Sequence, residues 1–380
     1  MKNRGLISLC LIFLFLLTVI MAGCGSSSNT VKIGAIGPLT GESSIGGLDE
    51  LDGKRMAVED FNAKGGINGK KVELFSEDDA SQPSQSAAAA MKLINQNKVV
   101  ALVGAQNSAC TLAMMEILSK YKIPGVTPGS SSPSITNSGN QWITRAFPGD
   151  EIQAGALVNY AKNKMNVKKI GVIYVNDDFG KGGFKAISKA AEQQGIEVVS
   201  ESFMGEDKDM RTQLTKIKSA NVDGLFIWCQ YVPGSLIMKQ AREMNWNTQF
   251  YGSTGILHPK TFELSGGAYA GAINSVPFIP NLPDPEKQNW VKRYKDKFGK
   301  EPSQNSARAY DATMLLLEAI KRANSTDPKV IQEAIRTTQD HEGLQGKISI
   351  DKSNGEYIGD VMIVKAETAG WSFVESVSSK

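Results

Sequence analysis

Lys169-Ile-Gly-Val-Ile-Tyr-Val175 decides the fold, because the segments after it repeat a pattern through which the chain has already run once. Seven mostly apolar, β-branched residues ending in a polar turn read as a buried strand. Residues 181–194 then form a helical stretch that stops at Gly195, and Ile196-Glu-Val-Val-Ser-Glu-Ser202 is the next strand. The alternation continues with a helix over 210–219, the strand Asp223-Gly-Leu-Phe-Ile-Trp228, a helix over 233–244 and the strand Gln249-Phe-Tyr-Gly252. Upstream, Val31-Lys-Ile-Gly-Ala-Ile36 opens an earlier series. An amphipathic helix over 47–63 comes next, closed by Lys64-Gly-Gly-Ile-Asn-Gly69, and then the strand 71–76. A helix over 84–95, a strand over 99–103, a helix over 111–121 and a strand over 125–127 complete it. Strands alternating with helices imply parallel sheets joined by right-handed crossovers, and two such series imply two similar α/β lobes. Past these series the pattern loosens, with helices over 284–298, 306–323 and 328–337 and strands over 346–350 and 360–364. This tail is expected to complete both lobes.

The N-terminus adds a location. Lys2 and Arg4 precede an apolar run from Leu6 to Ala22 interrupted only by Ser8 and Thr18, the pattern of a secretory signal. Met21-Ala22-Gly23-Cys24 resembles the lipobox of bacterial lipoproteins, in which the Cys is lipidated and becomes the new N-terminus. On that reading residues 1–23 are a signal peptide, and 24–30 are a lipidated Cys24 with a small-residue tether that leaves the folded part near the membrane surface. An ordinary secretory signal or an uncleaved anchor is the other reading. Removing Lys2 and Arg4 takes the net charge from +3 to about +1, so no electrostatic argument points to nucleic acid.

The same residues weigh against catalysis. There is no His-Glu-x-x-His run, no Gly-x-Ser-x-Gly elbow and no paired Cys motif, and the two histidines, His258 and His341, fall far apart in expected loops. No metal and no cofactor is expected. Cys110 and Cys229 fall on different lobes, where a bridge would lock a cleft, and are expected to be small buried hydrophobes rather than a disulfide.

Five segments carry a family resemblance: Gly53-Lys-Arg-Met-Ala-Val-Glu-Asp-Phe-Asn-Ala-Lys-Gly-Gly-Ile-Asn-Gly69, Glu77-Asp-Asp-Ala-Ser-Gln-Pro83, Pro128-Gly-Ser-Ser-Ser-Pro-Ser-Ile-Thr136, Asp178-Phe-Gly180 and Ala309-Tyr-Asp-Ala312. In this order and spacing the chain resembles the type I periplasmic binding proteins, in particular the leucine/isoleucine/valine-binding proteins of branched-chain amino-acid ABC importers. The resemblance implies two Rossmann-like lobes with parallel sheets, joined by a three-strand hinge with a ligand cleft between them. Residues 30–147 plus 277–354 would form the first lobe, and 148–276 plus 355–380 the second. It implies a monomer that closes over a small molecule and presents it to permease subunits. A ligand sensor built on the same fold, and a hydrolase, are the competing classes.

Ligands of parallel sheets bind beyond the carboxyl ends of the strands, against helix N-termini. Three first-lobe loops stand there: 37–44, 105–108 and 128–132. The resemblance makes Ser108 a carboxylate-binding serine, Gly129 and Ser130 backbone contacts, and Ser131 a contact to the ligand's amino-acid core. Read without it, these serines are helix caps. From the second lobe Phe179 and Tyr231 would cover the ligand, or pack in the core. Thr254 stands where the family places a Glu for the ligand ammonium, so the charge partner is open. Asp178 is one substitute, and a branched or aromatic carboxylate, an amide or urea is another ligand. Gly46 replaces an aromatic at the pocket wall, and Ser81 and Asn107 replace the family's first-lobe disulfide.

Overall fold

The computed structural model describes residues 30–41 and 43–378; the expected signal sequence and Cys24 lie outside them. The first series runs β1 (Thr30–Gly37), α1 (Ser44–Ala63), β2 (Lys71–Asp78), α2 (Pro83–Lys92), β3 (Ala101–Val103), α3 (Ser108–Tyr121), β4 (Gly125–Thr127), α4 (Pro133–Thr136) and β5 (Ile143–Arg145). Its five strands pair in parallel in the order β2-β1-β3-β4-β5. Glycine ends α1 for a physical reason: Gly65 and Gly66 sit at φ +95° and +64°, where a side chain is strained.

The second series runs α5 (Asp150–Met165), β6 (Lys169–Val175), α6 (Asp178–Gln193), β7 (Glu197–Phe203), α7 (Arg211–Ser219), β8 (Gly224–Trp228), α8 (Tyr231–Glu243), β9 (Gln249–Gly252), α9 (Pro259–Leu264) and β10 (Ile273–Val276). The tail adds α10 (Pro285–Phe298), α11 (Gln304–Ala323), α12 (Pro328–Arg336) and β11 (His341–Gly343). After them come β12 (Gly346–Ile350), β13 (Tyr357–Ile358), β14 (Val361–Ala366) and β15 (Trp371–Val377). The second sheet has seven strands in the order β15-β14-β10-β9-β8-β6-β7.

That sheet is not wholly parallel, which corrects the sequence reading. β14 pairs antiparallel to β10, and β15 antiparallel to β14. β11, β12 and β13 form a further small antiparallel sheet, so His341 begins a strand rather than lying in a loop. Connectivity accounts for the hairpin pairs: β15 follows β14, and β12 follows β11, by a short turn with no crossover helix, which permits only antiparallel pairing, whereas β14 reaches β10 after the three tail helices and enters beside it in the opposite direction.

Each lobe has its own core. Ile170, Val172 and Ile173 on β6 and Leu225 to Trp228 on β8 are fully buried in the second, and Ile33, Leu102, Val103 and Val126 in the first. Each such side chain is worth roughly 1.5–3 kcal/mol in transfer terms. α11 lies along α1, with Leu315, Leu316 and Ile320 buried against the first sheet's core. Cys110, in α3, and Cys229, after β8, are both buried, and no disulfide joins them.

Candidate ligand-binding site

Both sheets direct the carboxyl ends of their strands at one cleft. Its free volume is small, about 30 Å³, and it is lined by Gln106, Asn107, Ser108, Gly129 and Ser131 from first-series loops. Gln304, Asn305 and Arg308 of α11 continue that wall, and Phe179, Gln230, Tyr231, Thr254, Gly255, Leu257 and His258 face them from the second lobe. Six residues singled out in the sequence, Ser108, Gly129, Ser131, Phe179, Tyr231 and Thr254, thus meet in one place. Ser130, expected as a backbone contact, does not line the cleft: its N–H donates to Thr127 Oγ1 (3.2 Å), and its hydroxyl bonds the carbonyls of Ala105 (3.2 Å) and Gln106 (2.9 Å) and the Thr111 hydroxyl (2.6 Å), pinning one loop to the other.

The serines are more than caps. Ser108 is the first residue of α3, and its Oγ accepts the Ser132 N–H at 3.3 Å, so the 105–108 and 128–132 loops are tied through it. Behind them the buried Arg145 clamps the second loop, donating from Nη1 to the carbonyls of Ser130 (3.1 Å) and Ser132 (2.9 Å). Its Nε bonds Glu356 at 2.8 Å, and its Nη2 pairs with the same carboxylate. The guanidinium thus fixes the carbonyls of a loop whose Ser130 and Ser132 N–H groups are held by Thr127 Oγ1 (3.2 Å) and Ser108 Oγ.

Arg308, Gln304 and His258 join the site without having been expected there. Arg308 directly precedes the Ala309-Tyr-Asp-Ala312 segment. Its signal is spacing: Gln304, Asn305 and Arg308 fall at i, i+1 and i+4, so Gln304 and Arg308 share a face at the helix start. Arg308 Nη2 bonds Glu50 Oε1 at 2.9 Å, and Lys54 Nζ reaches Glu50 Oε2 at 3.3 Å, with all three side chains buried. Burial pulls the Arg308 guanidinium below its usual value despite that carboxylate. The cleft therefore contains a cation.

Each ring of the aromatic face is backed by another. Tyr231, first residue of α8, stacks on His258 with ring centroids 4.6 Å apart, and Phe179 lies 6.4 Å from the Trp228 ring. His258 Nε2 stands 3.5 Å from Asp49 Oδ2 across the cleft. Burial alone would push Asp49 up, but His258, Lys300 and Ser303 together hold its carboxyl below the ordinary range. Gln304 Nε2 donates to the Thr254 carbonyl at 3.3 Å, a second link between the lobes. The two bodies are thus drawn together over the cleft.

Two sequence-level substitutions find physical answers. At Gly46 a Cβ would stand 2.7 Å from Gln106 Nε2 and 3.0 Å from Asn305 Nδ2, so two amides occupy the space an aromatic would fill. Thr254, in a short 3-10 turn, bonds Gln153 Oε1 through both its N–H (3.1 Å) and its hydroxyl (3.0 Å) and contributes no charge. Asp178 does not replace that charge, because it is exposed in the first turn of α6 and does not line the cleft. Gln106 Oε1, Gln304 Oε1 and Arg308 Nε find no partner among the described residues, leaving acceptors and a donor for a guest. No cluster of metal-ligating side chains exists among the described residues.

Two α/β lobes closing on a polar cleft floored by serines and walled by aromatics define a two-lobed solute-binding protein. The comparison with known proteins agrees: residues 30–370 match the family model described as periplasmic binding protein, and the chain belongs to that family. An amino acid binding protein of Pseudomonas aeruginosa is 28% identical over 343 residues, covering 90% of this chain and 91% of the relative. The leucine-, isoleucine-, valine-, threonine- and alanine-binding protein of the same organism is 28% identical over 317 residues, covering 83% and 84%. Among solved structures, a leucine binding protein from Thermotoga maritima is 32% identical with a TM-score of 0.85, covering 92% of this chain and 99% of that one. The family comprises extracytoplasmic, non-enzymatic binding components of transporters, which answers the hydrolase alternative.

Proposed function

We propose that this chain captures an amino acid with a branched or hydrophobic side chain, or a closely related small carboxylate, and delivers it to an ABC importer. The observation that carries the reading is the meeting of Ser108, Gly129 and Ser131 with Phe179, Tyr231 and Thr254 around one cleft, backed by Arg308. The acid end would lie on the Ser108 hydroxyl beside Gly129 and Ser131, where the start of α3 and the Arg308 guanidinium favour negative charge. The apolar end would lie against Phe179 and Tyr231. Closure traps it, and the ligand shifts the balance only by binding the closed form more tightly. The relatives' names support the choice of amino acids, since the two Pseudomonas aeruginosa proteins bind leucine or amino acids generally.

Attachment to the membrane through a lipid on Cys24, and a monomeric state, belong to the same proposal. The test is a thermal-shift and calorimetric survey of the purified protein with amino acids, small acids, amides and urea. Stabilisation that grows with concentration by mass action identifies a ligand. Leucine, isoleucine or valine, or an acid of similar shape, is expected to shift melting, and Ser108→Ala to weaken that ligand at least tenfold. Shifts produced by amides or urea alone, or a Ser108→Ala variant that binds as the parent does, would refute the reading. Radiolabelled fatty acid should enter the chain and be lost in Cys24→Ala.

A further inference from the structure

Five carboxamides line the cleft: Gln106, Asn107, Gln230, Gln304 and Asn305. Gln304 fixes the orientation of its own amide, because Nε2 donates to the Thr254 carbonyl at 3.3 Å and to Asn305 Oδ1 at 2.9 Å, which leaves Oε1 as the spare end. That oxygen finds no partner among the described residues, and neither do Gln106 Oε1, Asn107 Oδ1 and Arg308 Nε. Gln106, Gln304 and Arg308 are only 8%, 3% and 5% exposed, so bulk water does not satisfy these atoms. Gln153, behind Thr254, shows the satisfied state: its Nε2 donates to the Pro148 carbonyl at 2.8 Å, and its Oε1 accepts the Thr254 N–H and hydroxyl. Among the described residues, none that lines the cleft from the first-series loops or α11 carries an apolar side chain. An apolar group pressed against that wall would leave its buried oxygens and its guanidinium N–H without hydrogen bonds, which costs affinity.

Resting on the reading of this cleft as an amino-acid site, we propose that it selects, among branched amino acids, those whose side chain carries an uncharged group that both donates and accepts, a carboxamide or a hydroxyl. The side-chain N–H or O–H donates to Gln304 Oε1 or Gln106 Oε1, and the side-chain oxygen accepts from Arg308 Nε. A carboxylate in that place would face the amide oxygens, and an ammonium would face Arg308, so a neutral group with both functions is the match. Gln106, Gln304 and Arg308 then determine specificity, while Phe179 and Tyr231 cover the remaining carbon face of the ligand. The discrimination is one-sided: a site that hydrogen-bonds a ligand group rejects the isostere lacking it far more strongly than an apolar pocket rejects an added hydroxyl.

The readout is calorimetric affinity for two isosteric pairs, L-asparagine with L-leucine and L-threonine with L-valine. Both members of a pair carry the same carboxylate and ammonium, so whatever holds those ends cancels in the ratio. In at least one pair the polar member is expected to bind more tightly by about tenfold or more. Gln304→Met, of similar shape but with no acceptor oxygen, should shrink that preference by about fivefold or more. The lost bond to the Thr254 carbonyl weakens both members alike and leaves the ratio untouched. Should that variant not fold, Gln106→Met is expected to shrink the preference in the same direction. If leucine and valine bind as tightly as their polar isosteres, the unpartnered atoms do not read the side chain, and the inference fails while the cleft assignment stands. A polar preference that survives both substitutions overturns the role given to the two glutamines. If none of the four binds, the cleft assignment itself falls, and this inference with it.

Discussion

The Arg308 guanidinium packs against the α-carbon of Gly129: a Cβ there would stand 2.6 Å from Nη2 and 2.9 Å from Glu50 Oε1. The loop that faces the ligand and the ion pair beneath it are therefore a single packed unit, and glycine at 129 is the condition for both. Gly129→Ala must move either the loop or the ion pair, neither of which is the free end of an exposed chain. A destabilisation of about 1–3 kcal/mol is expected from overpacking, with at least a tenfold loss of ligand affinity. Urea unfolding and calorimetry on the same preparation separate the two effects.

Glu50 carries two cations, Lys54 and Arg308, in a dry environment. Glu50→Gln keeps the shape and removes the charge that pairs with both cations. The expected cost is about 3–5 kcal/mol in equilibrium unfolding, far more than for a surface pair. A loss under about 1 kcal/mol would mean that Lys54 or Arg308 finds another anion.

Asp79 is buried with one oxygen unpartnered, and burial pushes its carboxyl from 3.8 up to about 6. The folded chain then holds a proton that the unfolded chain has released, so between these values stability falls as pH rises. Asp79→Asn keeps the acceptor for the Ser81 N–H, 3.0 Å away, and removes the titration. Relative to the parent, the variant should gain stability progressively from about pH 4 to 6, by up to about 3 kcal/mol. A difference that is flat across this window would show that Asp79 ionises normally.

Cys110 and Cys229 are sealed in separate cores, and burial pushes the Cys110 thiol well above its usual range. Thiolate is the reactive form. Neither residue should react with an aromatic disulfide reagent in the folded protein, both should react in guanidinium, and a reductant should leave the melting temperature unchanged. Rapid labelling of either under native conditions would contradict the burial.

Much of the architecture is legible in the sequence because its signals are local. The β6 and β8 runs, the glycine stop after α1 and the strand-helix alternation each rest on a few adjacent residues. α5 is not legible, because its buried positions, among them Gln153, Ala154, Leu157 and Ala161, are small or polar and give no clean apolar stripe. β10 is hidden for a similar reason: Asn274 and Ser275 lie fully buried in a sheet's interior, satisfied by or set among tertiary partners that periodicity does not reveal. At the site, hydroxyl and glycine loops are visible as motifs, whereas Arg308, Gln304 and His258 matter only because distant segments converge.

The first described strand, β1, lies within the five-stranded sheet, and the last, β15, at the edge of the seven-stranded one. A donor dye attached beside Thr30 and an acceptor at the exposed Ser376 would ride on different bodies. Their separation would track the swing of one body over the other, which makes the protein a natural scaffold for an optical gauge of whatever small molecule it captures.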